Sequence, residues 1–488
     1  MSPEDVARAY QFREGFRLID YGEVGLPIFR LTIEAVTTSH RILPTISEFV
    51  MRCLSLGETQ ETRIAGMLGL KPDIVKSTID TLVAEGFVAR QISTDFQSFK
   101  LTNAGNARLL IEREEIPQEE MLVIDYDGIQ RLPIRLAGES VVRASELKSG
   151  GAVEIRPYPA DPPTISELNI PDVTKVIRRQ GGEDFRRNVL ALKRIVRRSN
   201  VFRQAIALVY MAEKGKEIQI GFALDGKLSE PHERAFAEHG GPRKMGFVKV
   251  IEESEGRRRL DRLVGRSIVA ALPHAEDIRA LRLEEATARG QVRSIAPAVQ
   301  SDTRPRRANP AHAALLAAKE RHKVAQHGID ALPVRTLAPY EQGELLEEAL
   351  KTAASKLVVS TAGVQSVIVN GFMLRDVDSL ISQQVDIEIY SMVAPQSEPR
   401  QGNTYDPLSE LTRRSVKGFL RLTQTKPKEI FFLLKDNDLA VVSNRPFLGE
   451  MVRRSGFRRV EGVVTRRPEY VDAIRSAMTH LLGGTHGG

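Results

Sequence analysis

The chain has 488 residues, 42% of them apolar and 27% charged, with a formal net charge of +7. That length suits three or more domains, and no apolar run approaches the ~18 residues of a membrane span. A single cysteine, Cys53, excludes an internal disulfide and a thiolate metal cluster; the start Met-Ser-Pro-Glu-Asp has neither the basic nor the apolar region of a signal peptide, so a reducing cytoplasm is expected.

Residues 1–42 read as a lead-in of short apolar runs and turns, with Phe29 to Val36 either a short helix or a strand. Ile46, Phe49, Val50, Cys53 and Leu54 then recur at helical spacing, and Thr59 to Leu68 reads as a second helix. Pro72 opens a third helix that Gly86 closes, the usual placement of these two residues. Val88–Ile92 and Ser98–Thr102 are expected as strands, and Leu101-Thr-Asn-Ala-Gly105 leads into another helix. Ile116-Pro117 reads as a boundary, followed by strands at 121–128 and 132–135. A proline-rich break at 157–163 precedes a basic stretch, and 204–210 with 217–224 reads as a hairpin ahead of a helix from Ser229. Residues 291–310 have linker composition, and Ala311 to Gln326 favours helix. From 336 onward strands and helices alternate, giving an α/β unit: strands 356–361 and 385–392, helices 374–383, 408–422 and 470–482, and a buried hairpin made of Ile430–Leu434 and Leu439–Val442. No internal repeat is evident.

The positive charge is local. Between Pro171 and Gln204 ten cations (Lys175, Arg178, Arg179, Arg186, Arg187, Lys193, Arg194, Arg197, Arg198 and Arg203) face three acids, Asp172, Glu183 and Asp184, and ten minus three equals the +7 of the whole chain. Their spacing would place most of them along one broad side of a helix. A face with so few balancing acids repels itself unless an anion binds, which favours phosphate contact over an acidic protein partner. Scarce aromatics and Asn/Gln there give no sign of base readout.

Three helices followed by a hairpin and Leu-Thr-x-x-Gly resemble the winged-helix fold of MarR-like transcription regulators. In that fold the third helix and the wing meet DNA, which points here to Lys76, Arg90 and Lys100. Asp73 and Asp80 on that helix oppose phosphate, so a protein-docking use stands beside it.

The C-terminal order, with Ser443-Asn444 just after the second hairpin strand, resembles the phospholipase D superfamily. The resemblance puts Asp436 at the family Asp, Ser443 and Asn444 near the family Ser and Asn, Glu429 at the nucleophilic His and Phe431 at the Lys. None of the nine His is followed two places later by Lys, so the family's covalent phosphoryl transfer lacks both nucleophile and cation.

Other chemistry is weakly signalled. His232 and His239 share a helix face without catalytic-zinc spacing, and no phosphate-binding Gly loop or Gly-x-Ser-x-Gly elbow occurs, so neither metal nor cofactor is expected. The acids around Asp125 and Asp436 sit where turns need them.

The expected class is α+β multidomain: lead-in 1–42, winged helix 43–116, central α+β domain with a basic surface 117–290, linker and helix 291–335, phospholipase D-like α/β domain 336–483, and a disordered tail 484–488. The combination resembles multidomain proteins of bacterial DNA processing and phage defence. It implies a non-catalytic nucleic-acid-binding or scaffolding subunit, DNA being the expected nucleic acid, with a helicase or nuclease partner and no membrane role. A divergent phosphodiesterase and a winged-helix transcription regulator are the alternatives.

Overall fold

The computed structural model describes residues 2–41, 43–92, 97–111, 114–136, 141–180, 188–247, 264–300, 310–394, 405–426, 429–449 and 457–482. Helix α1 (Pro3–Ala9), capped by the Ser2 hydroxyl, passes through β1 (Phe12–Arg13) into β2 (Phe16–Arg41), a strand of 26 residues. The stretch read as a lead-in is therefore largely one long strand.

Helices α2 (Thr45–Ser55), α3 (Glu61–Leu68) and α4 (Pro72–Ala84) follow, then the hairpin β3 (Val88–Ile92) and β4 (Gln97–Leu101), and α5 (Asn103–Leu110). Pro72 starts α4 where no amide hydrogen bond is needed, and Gly86 at φ +78° ends it while the Phe87 amide returns to the Leu82 carbonyl at 2.9 Å. Val50, Cys53, Ile64, Val75, Ile79 and Phe99 close a small core among these elements. Cys53 is buried there as an apolar residue.

The chain returns on β5 (Glu114–Asp127), antiparallel to β2 from Ile28 opposite Asp127 to Arg41 opposite Glu114. The α2–α5 unit is thus spliced between two paired strands. Ile116-Pro117, read as a boundary, lies inside β5, where Pro117 pairs with Thr38.

Next come β6 (Leu132–Ile134), β7 (Val141–Val142), α6 (Ala144–Ser149), β8 (Val153–Glu154), α7 (Ile170–Gln180), β9 (Val189–Ala212), β10 (Ile218–Leu224) and β11 (Lys227–Leu228). They complete a nine-stranded sheet whose main path is β11-β10-β9-β2-β5-β6. Residues 189–203, expected on a helix, are strand. They pair along β2 from Val189 opposite Thr37 to Arg203 opposite Leu26, and β-branched Val189, Ile195, Val196 and Val201 suit that conformation. Helix α7 covers one face, over Phe29, Leu31, Ile33, Leu122 and Ile124.

Helices α8 (Glu230–Glu238), α9 (Gly241–Lys244) and α10 (264–270) lead to the pair α11 (Ala275–Gln300) and α12 (Pro310–Asp330). Residues 291–300, read as linker, are the last turns of α11. The C-terminal half is β12 (Arg335–Thr336), α13 (Glu341–Thr352), β13 (Lys356–Thr361), α14 (Gly371–Ser382), β14 (Asp386–Ser391), α15 (Pro407–Ser415), β15 (Leu420–Gln424), β16 (Phe431–Lys435), β17 (Leu439–Ser443), β18 (Gly462–Thr465) and α16 (Pro468–Leu482). Its sheet, ordered β12-β18-β17-β16-β13-β14-β15, is mixed: β13, β14 and β15 run parallel and the rest antiparallel. A helix expected to reach 422 stops at Ser415. Gly418 at φ +88° turns the chain, and Leu420–Gln424 joins the sheet as its edge strand. Two apolar layers sandwich this sheet, so all ten residues of β16 and β17 are buried.

Candidate nucleic-acid interface

Strand β9 carries five of the ten clustered cations, Lys193, Arg194, Arg197, Arg198 and Arg203, while Lys175, Arg178 and Arg179 lie on α7; the register of β9 explains how its own are presented. Opposite β2, Arg197 meets Thr32 but Ile195 meets Ile33; Arg194 meets Glu34 but Leu192 meets Ala35; Ala191 meets Val36 but Val189 meets Thr37. Val196, Lys193 and Leu190 are therefore each the extra residue of a β-bulge. With one extra residue for every two paired, a given face recurs every three positions. Val189, Leu192 and Ile195 turn toward α7, and Ala191, Arg194 and Arg197 turn away from it.

From 189 to 201, β9 has no second neighbour among the described strands, so it is a sheet edge. Bulges and cations are the usual means of keeping such an edge from pairing with another chain, and that structural role accounts for part of the basic composition.

The cations differ in what they face. Arg194 Nε is 2.7 Å from Glu34, Lys193 is ion-paired to Glu119 and lies 3.7 Å from Glu34, and Arg203 is 3.0 Å from Asp225. Hydrogen bonding to Arg194 holds the Glu34 carboxyl below its ordinary range. Arg178 at the end of α7 donates to the Asn188 side chain. Arg197 and Arg198 are exposed and have no ion pair among the described residues. Beside them the outer sheet face leaves Met121, Val123 and Val196 about half exposed. Arg186 and Arg187 lie outside the described residues, as does the side chain of Arg179. Lys76 on α4 and Lys100 on β4 are exposed, while Arg90 is ion-paired to Asp80.

In and beside the hairpin β16–β17, four of the five singled-out residues are put to structural use. Phe431 is 4% exposed in the main C-terminal core. Asp436, at φ +45°, accepts from the amides of Ala354 (2.8 Å), Ser355 (2.7 Å) and Lys356 (2.8 Å) and from the Ser355 hydroxyl (2.7 Å). Burial alone would raise its pKa, but these bonds outweigh burial and hold it below the ordinary value. The Ser443 hydroxyl, fully buried, accepts from the Arg445 amide at 3.0 Å and pairs with Gln342 at 3.2 Å. Asn444 donates to the Arg459 carbonyl (2.7 Å) and accepts from the Glu461 amide (2.9 Å), pinning the approach to β18. Glu429 is exposed at the mouth of the hairpin.

Sequence reasoning missed a buried Ser–His–Asp chain. His232 Nε2 lies 2.8 Å from Asp127 Oδ2, and Nδ1 lies 2.7 Å from the Ser229 hydroxyl; Asp127 Oδ1 also accepts the Ile129 and Gln130 amides at 2.8 Å. With Nε2–H donating to the carboxylate, Nδ1 accepts from serine. Ser229 is the residue preceding α8 and His232 is in its first turn, so the chain clamps that helix onto the β5–β6 turn. The helix-start signal was visible at Ser229; the carboxylate 105 residues away was not. His239 instead stacks near Tyr158, at 5.1 Å between ring centroids.

Among the described residues no group of three or more His, Cys, Asp or Glu is placed to hold a metal ion, and no helix is long and apolar enough to cross a membrane.

The class defined by these observations is a mixed α+β multidomain protein with a mixed sheet in its C-terminal half. No known family and no curated protein matches the chain. Among solved structures it is distantly similar to TrmBL2, an archaeal chromatin protein described as showing a novel mode of DNA binding (15% identity, TM-score 0.23), over 34% of this chain and 60% of that one, less than two thirds of its length. NucT from Helicobacter pylori aligns with 30% of this chain and 95% of its own (10% identity, TM-score 0.21). A phosphatidylserine synthase from Haemophilus influenzae Rd KW20 aligns with 34% of this chain and 46% of its own (13% identity, TM-score 0.20). Likenesses this distant leave activity to be read from the chain's own residues.

Proposed function

We propose that the chain is a non-catalytic nucleic-acid-binding or scaffolding subunit of a bacterial DNA-processing or antiphage defence complex, acting in the cytoplasm beside a helicase or nuclease that does the chemistry. One observation carries the reading. Adjacent Arg197 and Arg198 project to opposite sides of an exposed, bulged edge strand without a carboxylate partner among the described residues, while the cations around them are neutralised. DNA is the expected ligand, bound through its phosphates, with the 43–116 unit acting as a winged helix that positions the duplex through Lys76, Arg90 and Lys100. The catalytically silent reading of 336–483 is supported by Phe431 in the core and by the structural hydrogen bonds of Asp436 and Asn444.

The test is a gel shift with the double variant Arg197→Glu, Arg198→Glu. Binding should be lost while the circular dichroism spectrum is unchanged. The parent should show a log–log salt slope of several times about −0.9, one such increment per phosphate neutralised on duplex DNA. Salt-independent binding, or a variant that binds like the parent, rejects the proposal. Metal-independent cleavage of DNA that vanishes in Asn444→Ala would favour the divergent phosphodiesterase instead.

A further inference from the structure

The C-terminal sheet ends at β15, which pairs in parallel with β14 from Leu420 opposite Ile387 to Gln424 opposite Ser391 and has no second neighbour among the described strands. We propose that this edge pairs antiparallel with β15 of a second copy of the chain, joining two C-terminal sheets into one.

The backbone shows what the edge offers. The Phe419 carbonyl accepts from the Ile387 amide, and the Thr425 amide donates to the Ser391 carbonyl, both at 2.8 Å. A strand alternates the side to which its backbone groups point, so residues 419, 421, 423 and 425 address β14. Leu420, Leu422 and Gln424 then direct their amides and carbonyls outward, a row of donors and acceptors that another strand matches in full.

Elsewhere in the two large sheets the free edges carry guards against such pairing. Three bulges and its cations protect β9. Beyond its three pairs with β6, β5 carries Pro117 and the exposed Glu119. The outermost strands β6, β11 and β12 span only two or three residues. Strand β15 has none of these devices. Its five pairs run without a bulge, and it contains no proline. Its single cation, Arg421, lies 2.7 Å from Asp386 and 2.6 Å from Glu388, and Lys356 lies 2.9 Å from Glu388. Two cations meet two acids, so no net charge is left to repel a neighbour.

Charge also selects the occupant and its direction. A second copy brings an edge that is equally bare and equally neutral. Centred on Leu422, an antiparallel partner sets Leu420 against Gln424 of the other copy, Leu422 against its counterpart, and Arg421 against Thr423. Each of the outward pairs exchanges two hydrogen bonds, about six in all. A parallel partner in the same register would set Arg421 beside Arg421, which is unfavourable. The antiparallel pairing closes on a two-fold axis and stops at the dimer. Because β15 and β9 belong to different sheets, failure of this pairing leaves the nucleic-acid reading untouched.

Sedimentation equilibrium of the nuclease-treated full chain over a range of concentrations tests this. The mass should rise from 54.3 kDa toward twice that value, reversibly, since a pair of five-residue strands makes a small interface. Gln424→Pro should hold the chain at 54.3 kDa with an unchanged circular dichroism spectrum and urea midpoint, because that amide points away from β14 and an edge tolerates proline there. Thr423→Lys, at an exposed position, should weaken association about tenfold by setting a cation opposite Arg421 of each copy, and Thr423→Glu should not. A parent that stays at 54.3 kDa throughout overturns the proposal, as it must if the edge takes a foreign strand instead. Association of Gln424→Pro like the parent, or equal association of the two Thr423 variants, overturns it as well.

Discussion

The β16–β17 hairpin and the outer half of β9 are both β-strand, yet they use their side chains in opposite ways. In the hairpin all ten strand positions are buried, and Phe431, Asp436, Ser443 and Asn444 are taken up by the fold. On β9, one side of the strand lacks a neighbour among the described strands, three bulges break the register, and two arginines keep their charge exposed. Motif resemblance is therefore a poor guide to function in this chain. Whether a polar group is already satisfied is the better one.

The largest effect expected is at the hairpin. Phe431→Lys introduces a cation but removes a buried ring, worth about 3–5 kcal/mol in comparable truncations, before the cost of an unpaired ammonium is added. Urea denaturation should show that loss, and phosphodiesterase assays should show no gain. A folded variant that cleaves would break the comparison.

Asp436→Ala comes next, with an expected loss of about 1–3 kcal/mol from amides left unmatched. The sign of its pH dependence follows from the lowered pKa. The carboxylate's contribution is full above the unfolded value of 3.8 and is lost as pH falls through the lower folded value. Asp436→Asn should therefore flatten the acid limb of stability below about pH 4. An unchanged acid limb would mean that these bonds do not hold the turn.

On β9 the expected effects are on binding rather than stability. Arg197→Ala should weaken DNA binding more than Arg194→Ala, because Arg194 is already neutralised by Glu34. Both should keep stability within about ±0.5 kcal/mol, as surface substitutions do. Equal effects in a salt-dependent gel shift would show that ion pairing on the edge does not decide which cation meets phosphate.

The smallest effects belong to Lys76→Ala and Arg90→Ala, which should weaken binding modestly and alike across sequences. Arg90 should lose less than Lys76, since Asp80 already holds it. Loss confined to a single operator would favour the transcription-regulator reading.

Much of the local structure was legible in the sequence. Pro72 and Gly86 bracket α4, and the apolar runs around Lys435-Asp-Asn-Asp438 mark the β16–β17 hairpin within a residue. The importance of Asp436 to its turn was also readable, because Asp favours such positions; that it reaches Ala354, Ser355 and Lys356 was not.

What the sequence by itself determined was short-range: helices with their own start and stop signals, a hairpin whose partner strand is a few residues away, and the place where positive charge gathers. Only the tertiary structure decided that the half of this charge from Lys193 to Arg203 lies on a strand. Its partner, β2, begins more than 170 residues earlier, and one bulge for every two pairs spaces Val189, Leu192 and Ile195 by three, a spacing that imitates a helix. The same non-local pairing made a spine of residues 16–41. Periodicity reports the face a residue presents, but register is set by the partner strand, and no local pattern contains it.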